Sequence, residues 1–258
     1  MTTPITKNDP IRDRFFSPLE SAEAWSSRLF YLSIAFSLCV AYFDEPSQRS
    51  LNNTLQWIQV VAVLTLFVLD VFIRLHLAPR AHDARSQDFL AKVYDAPLIS
   101  QQTSGYYNHA QTEPILRLAA QLFENSLFTK EIIGKMLKRE TVVTAIYMII
   151  WVAAFSSRDV PLSWVALCAQ IFFGEQILVR WLRMWWLWRR CEDVYGQMRT
   201  LYVNNPAPEK FSVTALDAYT KYESSKAMAS ITLSSKIFEQ INPTVSSEWE
   251  KHRVEFGI

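Results

Sequence analysis

Ionisable side chains inside apolar stretches are the first residues of this chain that could do chemistry. Asp70 and Arg74 are four apart and share a helix face, and Glu175 is followed by Arg180 and Arg183. A charge at membrane depth is costly, so such groups mark a site or a pore wall by default. We take Asp70, Arg74, Glu175 and Arg180 as pore or gate candidates. The competing reading is structural pairing near the ends of the apolar runs, where arginine snorkels to the surface and meets an acid. A second group combines rings with cations. Tyr106, Tyr107, Asn108 and His109 form an aromatic-polar segment with Arg80, Arg85, Lys92 and Arg117 on either side. Bases stack on rings and phosphates seek Lys and Arg. Tyr106, Tyr107, Arg117, Lys130, Lys135, Lys226 and Lys236 are therefore candidates for binding a nucleotide oligomer; loop packing against the tail is the alternative. Trp181, Trp185, Trp186 and Trp188 alternate with Arg180, Arg183, Arg189 and Arg190, which reads as an interfacial aromatic belt or as a portal for an anionic ligand.

Other chemistry is poorly served. His76, His82, His109 and His252 are the only histidines. His76 and His82, with Asp83 beside them, are six apart on different helix faces with Pro79 between, so no metal site is expected. Cys39, Cys168 and Cys191 are odd in number and far apart, which excludes a disulfide framework. With 5 Gly in 258 residues, and neither the P-loop pattern nor GxGxxG, a phosphate-cradling loop is not expected. No GxSxG or HExxH pattern occurs either, so we expect neither an enzyme nor a bound cofactor. Charge is balanced, 26 Lys+Arg against 25 Asp+Glu, which argues against a globally basic nucleic-acid binder.

The elements that position these groups are set by segregation of apolar residues, which a mean hydropathy of +0.04 conceals. Leu29–Phe43, Ser50–Leu69, Thr141–Ser157 and Val160–Gly174 carry no charge. A membrane span needs about 20 mostly apolar residues. The runs predict four transmembrane helices at 26–43, 55–74, 141–157 and 162–182. Stretches such as VVAVLTLFVL show no polar face, unlike the core helices of a soluble bundle. Residues 1–25 are polar and charged, unlike a signal peptide. The turns 44–54 and 158–161 contain only Arg49 and Arg158, so all but two of the 26 basic residues lie elsewhere. The positive-inside rule then places both termini and the middle segment in the cytoplasm. The expected fold is all-α and integral to the membrane: a cytoplasmic N-terminal segment 1–25, hairpin 26–74, helical insert 75–140, hairpin 141–182, and a cytoplasmic stalk and helical tail 183–258. Insert and tail together form a helical cytoplasmic domain. The hairpins look like a weak repeat, each with a Trp (Trp57, Trp164) opening its returning helix.

Within the insert, HLAPRAHDARSQ reads as a polar break, SQDFLAKVYD as a short helix, PLISQQTSGYYNHAQ as a loop and Glu113–Arg139 as a helix opened by Pro114. Met184, Trp188, Cys191, Tyr195, Met198 and Tyr202 follow a 4-3-4-3-4 spacing, which predicts a stalk with a seam suited to contact between subunits. Asn204-Asn205-Pro206 should end it. Further helices are expected at 212–230 and 234–240, the latter stopped by Asn242-Pro243, and Ser247-Glu248-Trp249-Glu250 fits a capping box opening a last short helix. No strand is expected.

Two stretches, SGYYNHAQ…LRLAAQLFENSLFTKEIIGKML before the third span and YESSKAMASITLSSKIFEQINPTVSSEWEKHRVEFGI at the end, combine with the four-span layout. Together they resemble bacterial four-helix membrane effectors encoded beside nucleotidyltransferases in anti-phage systems, the channel-forming effector of Hailong-type defence above all. The resemblance implies a bacterial inner-membrane location and a homo-oligomeric ion channel, expected as a tetramer among membrane lipids. It also implies a partner nucleotidyltransferase whose short deoxyadenylate oligomer holds the channel shut; loss of the oligomer during infection would open it and depolarise the cell. It supplies no site residues. The competing expectation is a non-conducting membrane scaffold that recruits a soluble partner through the helical domain, with an integral-membrane enzyme third.

Overall fold

The structure, a computed structural model, describes residues 8–42, 49–157, 159–173 and 175–258; for Arg49, Ser163 and Glu175 only the backbone is described. Arg158 and residues 44–48 of the turn at 44–54 therefore lie outside the described residues. Eight α-helices follow one another: α1 Ser17–Tyr42, α2 Arg49–Phe72, α3 Ala78–Tyr94, α4 Pro114–Ser156, α5 Leu162–Phe173, α6 Arg180–Asn204, α7 Pro208–Ala229 and α8 Ser235–Phe256. The π-turns Arg12–Phe16, Ile73–Leu77 and Glu175–Val179 adjoin them among the described residues. Among the described residues there is no strand, only one isolated bridge between Asn8 and Ser104. Four helical stretches are long and apolar enough to cross a membrane: Arg12–Tyr42, Ser50–Tyr94, Pro114–Ser156 and Trp164–Asn204.

Several elements run through boundaries that the residue pattern predicts. The polar break at Pro79 is absent, and helix continues from α2 into α3. Pro79 has no N–H to offer the Leu75 carbonyl, and its ring crowds that turn. The π-turn Ile73–Leu77 widens the helix just before it, with the Ala78 amide donating to the Ile73 carbonyl. The insert helix and the third span are likewise one helix, α4, because Arg139-Glu140-Thr141 holds no breaker. Pro243 does not end a helix and Ser247 does not begin one; both lie inside α8. Pro243 and Glu239, whose carbonyl loses its donor, are both exposed, so water satisfies the orphaned group. Ser234 caps α8 by accepting from the Ile237 amide, and Gly257 closes it at φ +65°, where a residue without Cβ is unstrained.

The chain divides into two compact units. The first, a helical unit, comprises Met1–Ser17, Pro79–Lys138 and Arg183–Ile258. Its core is the N-terminal part of α4, where Leu118, Leu122, Phe123, Leu127 and Ile133 are fully buried. Met184, Leu187, Cys191, Val194, Met198 and Leu201 of α6 join the same cluster, with Phe211, Ala215, Ala218 and Tyr222 of α7 and Val245 and Trp249 of α8. Phe123 lies within ring-contact distance of Tyr195, Tyr202, Trp249, His252 and Phe256. The spaced seam on α6 is therefore covered by its own chain. The heptad-like spacing is real, but Met184, Cys191 and Met198 face α4 and the tail helices, and Tyr195 donates to or accepts from His252 Nε2 at 2.9 Å. This corrects its assignment to a contact between subunits.

The second unit, Pro18–Ala78 and Arg139–Leu182, is apolar. Large side chains point outward: Leu64 is 58%, Phe67 65% and Ile149 68% exposed, whereas Ser26, Ser33, Asn52 and Thr144 are buried. Trp151 packs between Phe155, Phe172 and Phe173.

Candidate functional site

In the apolar unit, three helical segments each bring one polar side chain to a common point. Ser26 of α1 donates its hydroxyl to Asp70 Oδ1 of α2. Gln176, on the π-turn Glu175–Val179, donates its amide to Asp70 Oδ2 at 3.1 Å and to the Ser26 hydroxyl at 3.3 Å. Asp70 is thus held by two neutral partners, where the i,i+4 spacing points to Arg74. Arg74 lies in the π-turn that begins at Ile73. Both Asp70 oxygens act as acceptors in these contacts. Arg180 follows the π-turn Glu175–Val179, and its Nε is buried with no hydrogen-bond partner. Of Glu175 only the backbone, in that same π-turn, is described.

This triad is one end of a polar stripe. On α2, Asn52, Gln56, Gln59 and Asp70 fall on a 4-3-4-3-4 register that passes through Val63 and Leu66. On α1, Ser26, Ser33 and Ser37 share a face. The two rows meet: Gln59 donates to Ser37 Oγ at 2.6 Å, Asn52 to the Val40 carbonyl at 3.5 Å and Gln56 to Asn52 Oδ1 at 2.9 Å. Ser37 itself donates to the Ser33 carbonyl at 2.9 Å. At 1.5 Å per residue, Asn52 to Asp70 covers about 27 Å, close to the thickness of a hydrocarbon core. Charge alone had drawn attention to Asp70. Ser26 and Gln176 carry no charge and so do not stand out in an apolar run; the repeated serines of α1 are the available signal.

The helical unit carries the rings and cations. Arg85 of α3 lies 4.9 Å from the Tyr106 ring and 5.4 Å from the Phe16 ring, and its Nη2 pairs with Asp9 at 2.7 Å. Its Nη1 is buried and bonds to nothing. The loop that presents Tyr106 is fixed by the buried Asp88, which accepts from the Thr103 amide at 2.9 Å and hydroxyl at 2.8 Å. Gly105 turns it at φ +63°. Tyr106 is 37% exposed. Tyr107 turns inward, edge-on to Phe89, where its hydroxyl accepts from Asn125 at 3.4 Å and burial pushes its pKa well above the ordinary value.

The other candidates are dispersed. Arg117 donates to the carbonyls of Gln111 at 3.2 Å and Lys92 at 3.5 Å. Lys130 pairs with Glu131 at 3.3 Å and covers the Tyr195 ring at 4.1 Å. Lys226 pairs with Glu223 at 3.0 Å over the Tyr222 ring. Lys135 and Lys236 are exposed. Arg85, a flanking residue in the sequence pattern, is the cation brought to the exposed ring. Close to it in the chain, a cavity of about 290 Å³ is lined by Arg14, Arg80, Asp83, Gln87, Ser100 and Gln101, among others. Two guanidinium groups with amide and hydroxyl donors suit a phosphate or carboxylate. The tryptophan belt is partly engaged in helix contacts: Trp181 donates to Thr141 at 2.9 Å and Arg190 lies over Trp186. Among the described residues no group of three His, Cys, Asp or Glu could hold a metal ion. No protein-family model, curated protein or solved structure matches the chain.

Proposed function

We propose that the chain is the pore-forming subunit of a homo-oligomeric bacterial membrane effector, gated from the cytoplasm by a nucleotide oligomer. The observation that carries this reading is the polar stripe along α1 and α2. Asn52, Gln56, Gln59 and Asp70 lie on one register of a span, and Gln56 is exposed and Gln59 and Asp70 only half-buried, so the row can meet a further polar surface as well as α1. Copies arranged about an axis would line a conduit with such a stripe. The ligand side of the proposal rests on the Arg85–Tyr106 pair, the cavity holding Arg14 and Arg80, and the exposed Lys135 and Lys236. The anti-phage role and the deoxyadenylate ligand follow from the family resemblance. Gating is a population shift: an oligomer that binds the closed state better holds the pore shut, and its removal opens it.

The test is current across a planar bilayer carrying the purified protein, with and without a short deoxyadenylate oligomer. We expect current without oligomer and its suppression by oligomer, with apparent affinity falling as salt rises. Arg85→Glu and Lys135→Glu should weaken suppression. In intact cells, Ser104→Cys and Ser246→Cys should resist an impermeant thiol reagent, as positive-inside topology requires. One observation favours a second reading. Val213 and Leu216 are exposed on one face of α7, which would suit a scaffold that recruits a protein partner. Absence of current under every condition would put that reading ahead.

A further inference from the structure

We propose that the cavity between the N-terminal segment, α3 and the loop after it binds a phosphate monoester that carries a hydroxyl beside its phosphate. The assignment deepens the ligand side of the proposed function. That the bound phosphate belongs to the gating ligand rests on that reading, whereas binding as such does not.

Three segments of the helical unit enclose about 290 Å³. Arg14 comes from the N-terminal segment, Ser100 and Gln101 from the loop. Arg80, Asp83 and Gln87 fall at i, i+3 and i+7, on one face of α3. The walls are held by contacts of their own. Asn8 and Ser104 exchange backbone hydrogen bonds at 3.2 and 3.0 Å. Asp9 pairs with Arg85 at 2.7 Å and accepts from the Arg12 amide at 3.0 Å. Asp88 ties down the loop through Thr103. A site fixed in advance loses little freedom on binding. Phe16 meets both Arg85 and His82, which adjoin Ala84 and Asp83 of the cavity in the chain. Arg85 Nη1 and His82 Nδ1 are buried without hydrogen-bond partners, so the protein does not satisfy every polar group of this region by itself.

The donors decide the ligand class. Arg14 and Arg80 bring guanidinium groups, Gln87 and Gln101 amides and Ser100 a hydroxyl. They reach the cavity from three segments, so an acceptor whose oxygens diverge tetrahedrally meets more of them than a planar carboxylate does. An arginine carries five N–H donors, so contacts made elsewhere leave others for a ligand. Asp83 is the one acid among the described lining residues. A carboxylate repels phosphate but accepts from a hydroxyl, which suits a phosphate with a hydroxyl at its side better than a bare anion. The volume lies at the small end of ligand pockets, about 300–1,000 Å³, and takes one phosphorylated unit rather than the length of a polymer. Arg14 lies near the start of the helical stretch Arg12–Tyr42 and Arg80 within Ser50–Tyr94, two of the stretches long and apolar enough to cross a membrane. A phosphate held by both arginines ties one stretch to the next.

The experiment is calorimetric titration of the full chain in detergent at fixed pH and ionic strength, with inorganic phosphate, glycerol 3-phosphate, glycerol and acetate as probes. Glycerol 3-phosphate should bind saturably and more tightly than phosphate, and glycerol and acetate should not saturate. Arg14→Gln and Arg80→Gln should each weaken glycerol 3-phosphate by about tenfold or more, as loss of a charge-assisted hydrogen bond does. Asp83→Ala should tighten inorganic phosphate and narrow the advantage of glycerol 3-phosphate, a change that damage to the fold does not produce. Should Arg80→Gln fail to fold, Arg14→Gln, at an exposed position, decides. Saturation by neither phosphate probe, or equal binding by wild type and Arg14→Gln, would overturn the site. Acetate binding as tightly as phosphate would overturn the ligand class. Phosphatidic acid in mixed micelles distinguishes the sources: displacement of glycerol 3-phosphate assigns the site to a lipid headgroup and no displacement to a soluble ligand, and the phosphate site stands in both cases. Bilayer recordings separate binding from gating. Calorimetric binding with a current that neither glycerol 3-phosphate nor Arg14→Gln alters keeps the site and detaches it from the gate. Current suppressed by the deoxyadenylate oligomer without calorimetric binding removes the site and keeps the gate.

Discussion

In the helical unit Phe123 and Trp249 are buried while Lys135 and Lys236 are exposed; in the apolar unit Phe67 and Leu64 face outward while Ser26, Ser33 and Asn52 are buried. Both units are built from helices, so secondary structure does not distinguish them. The difference is the medium against which each surface must be stable. Phe123, closed in by five rings, gives up water contact that would otherwise be unfavourable, and the hydrophobic effect drives its burial. Phe67 has no such drive if lipid is already as apolar as a protein core. In that setting the groups that gain from meeting one another are the polar ones, and these are the groups that α1 and α2 turn toward each other.

The sharpest way to break this contrast is to truncate one phenylalanine in each unit. Phe123→Ala should destabilise the helical unit by about 3–5 kcal/mol, as large-to-small changes in packed cores do. Phe67→Ala should be nearly neutral in the same denaturant titration of the detergent-solubilised chain. A comparable loss at Phe67 would show that this face packs against another copy. A charge tests the same face differently. Leu64→Arg, near the middle of the apolar run, should cost about 2.5–3.5 kcal/mol of insertion free energy, read as the fraction of protein recovered in membranes. Val213→Arg on α7 should leave that fraction unchanged.

A smaller effect should appear at a buried polar contact of the helical unit. The Tyr222 hydroxyl and Thr129 Oγ1 are 2.7 Å apart, and burial pushes the Tyr222 pKa well above its ordinary value. Thr129→Val leaves that hydroxyl only the Asn125 carbonyl, at 3.4 Å, and should cost about 0.5–1.5 kcal/mol in chemical denaturation. The smallest effect concerns acid. Burial first, and then the Arg117 charge, push the His109 pKa below its ordinary value of 6.5. A base whose folded pKa is lowered favours folding above its unfolded pKa. That contribution declines as pH falls below about 6.5, where the unfolded chain takes up the proton first. Melting temperature should therefore drop less between pH 7 and pH 5 in His109→Gln than in wild type.

Much of this architecture was legible in the residues. Four charge-free runs correspond to four long apolar helices, because a span must satisfy its backbone internally and has few ways to do so. Pro114 and Asn205 also mark a true helix start and end, the latter at φ +36°. What escaped the pattern depended on partners remote in sequence. Pro243 ordinarily stops a helix, yet α8 is held by Val245 and Trp249, whose indole N–H donates to the Asn108 carbonyl at 3.0 Å. The 4-3-4-3-4 register of α6 identifies a packed face but not whose residues cover it. Asp70 stood out as a charge in an apolar run, whereas its partners, forty-four residues before it and more than a hundred after, had no signature of their own.

The π-turns bear on how this chain tolerates changes in length. Each holds one residue more than the α-helical ladder needs, so it is a place where a single residue can be lost without breaking the helix. Removing one residue from Glu175–Val179 would let the turn close into regular helix with its flanking segments close to their former register, the side chains of the turn itself being displaced. Between Asn52 and Gln59 there is no such slack, and a deletion would break the polar register outright. A scan of single-residue deletions should therefore find expression preserved within Ile73–Leu77 and Glu175–Val179 and lost within the stripe. Where the deletion also moves Gln176 away from Asp70, a folded chain should lack that contact. Reading-frame-preserving loss of one codon would then remove function while leaving abundance untouched.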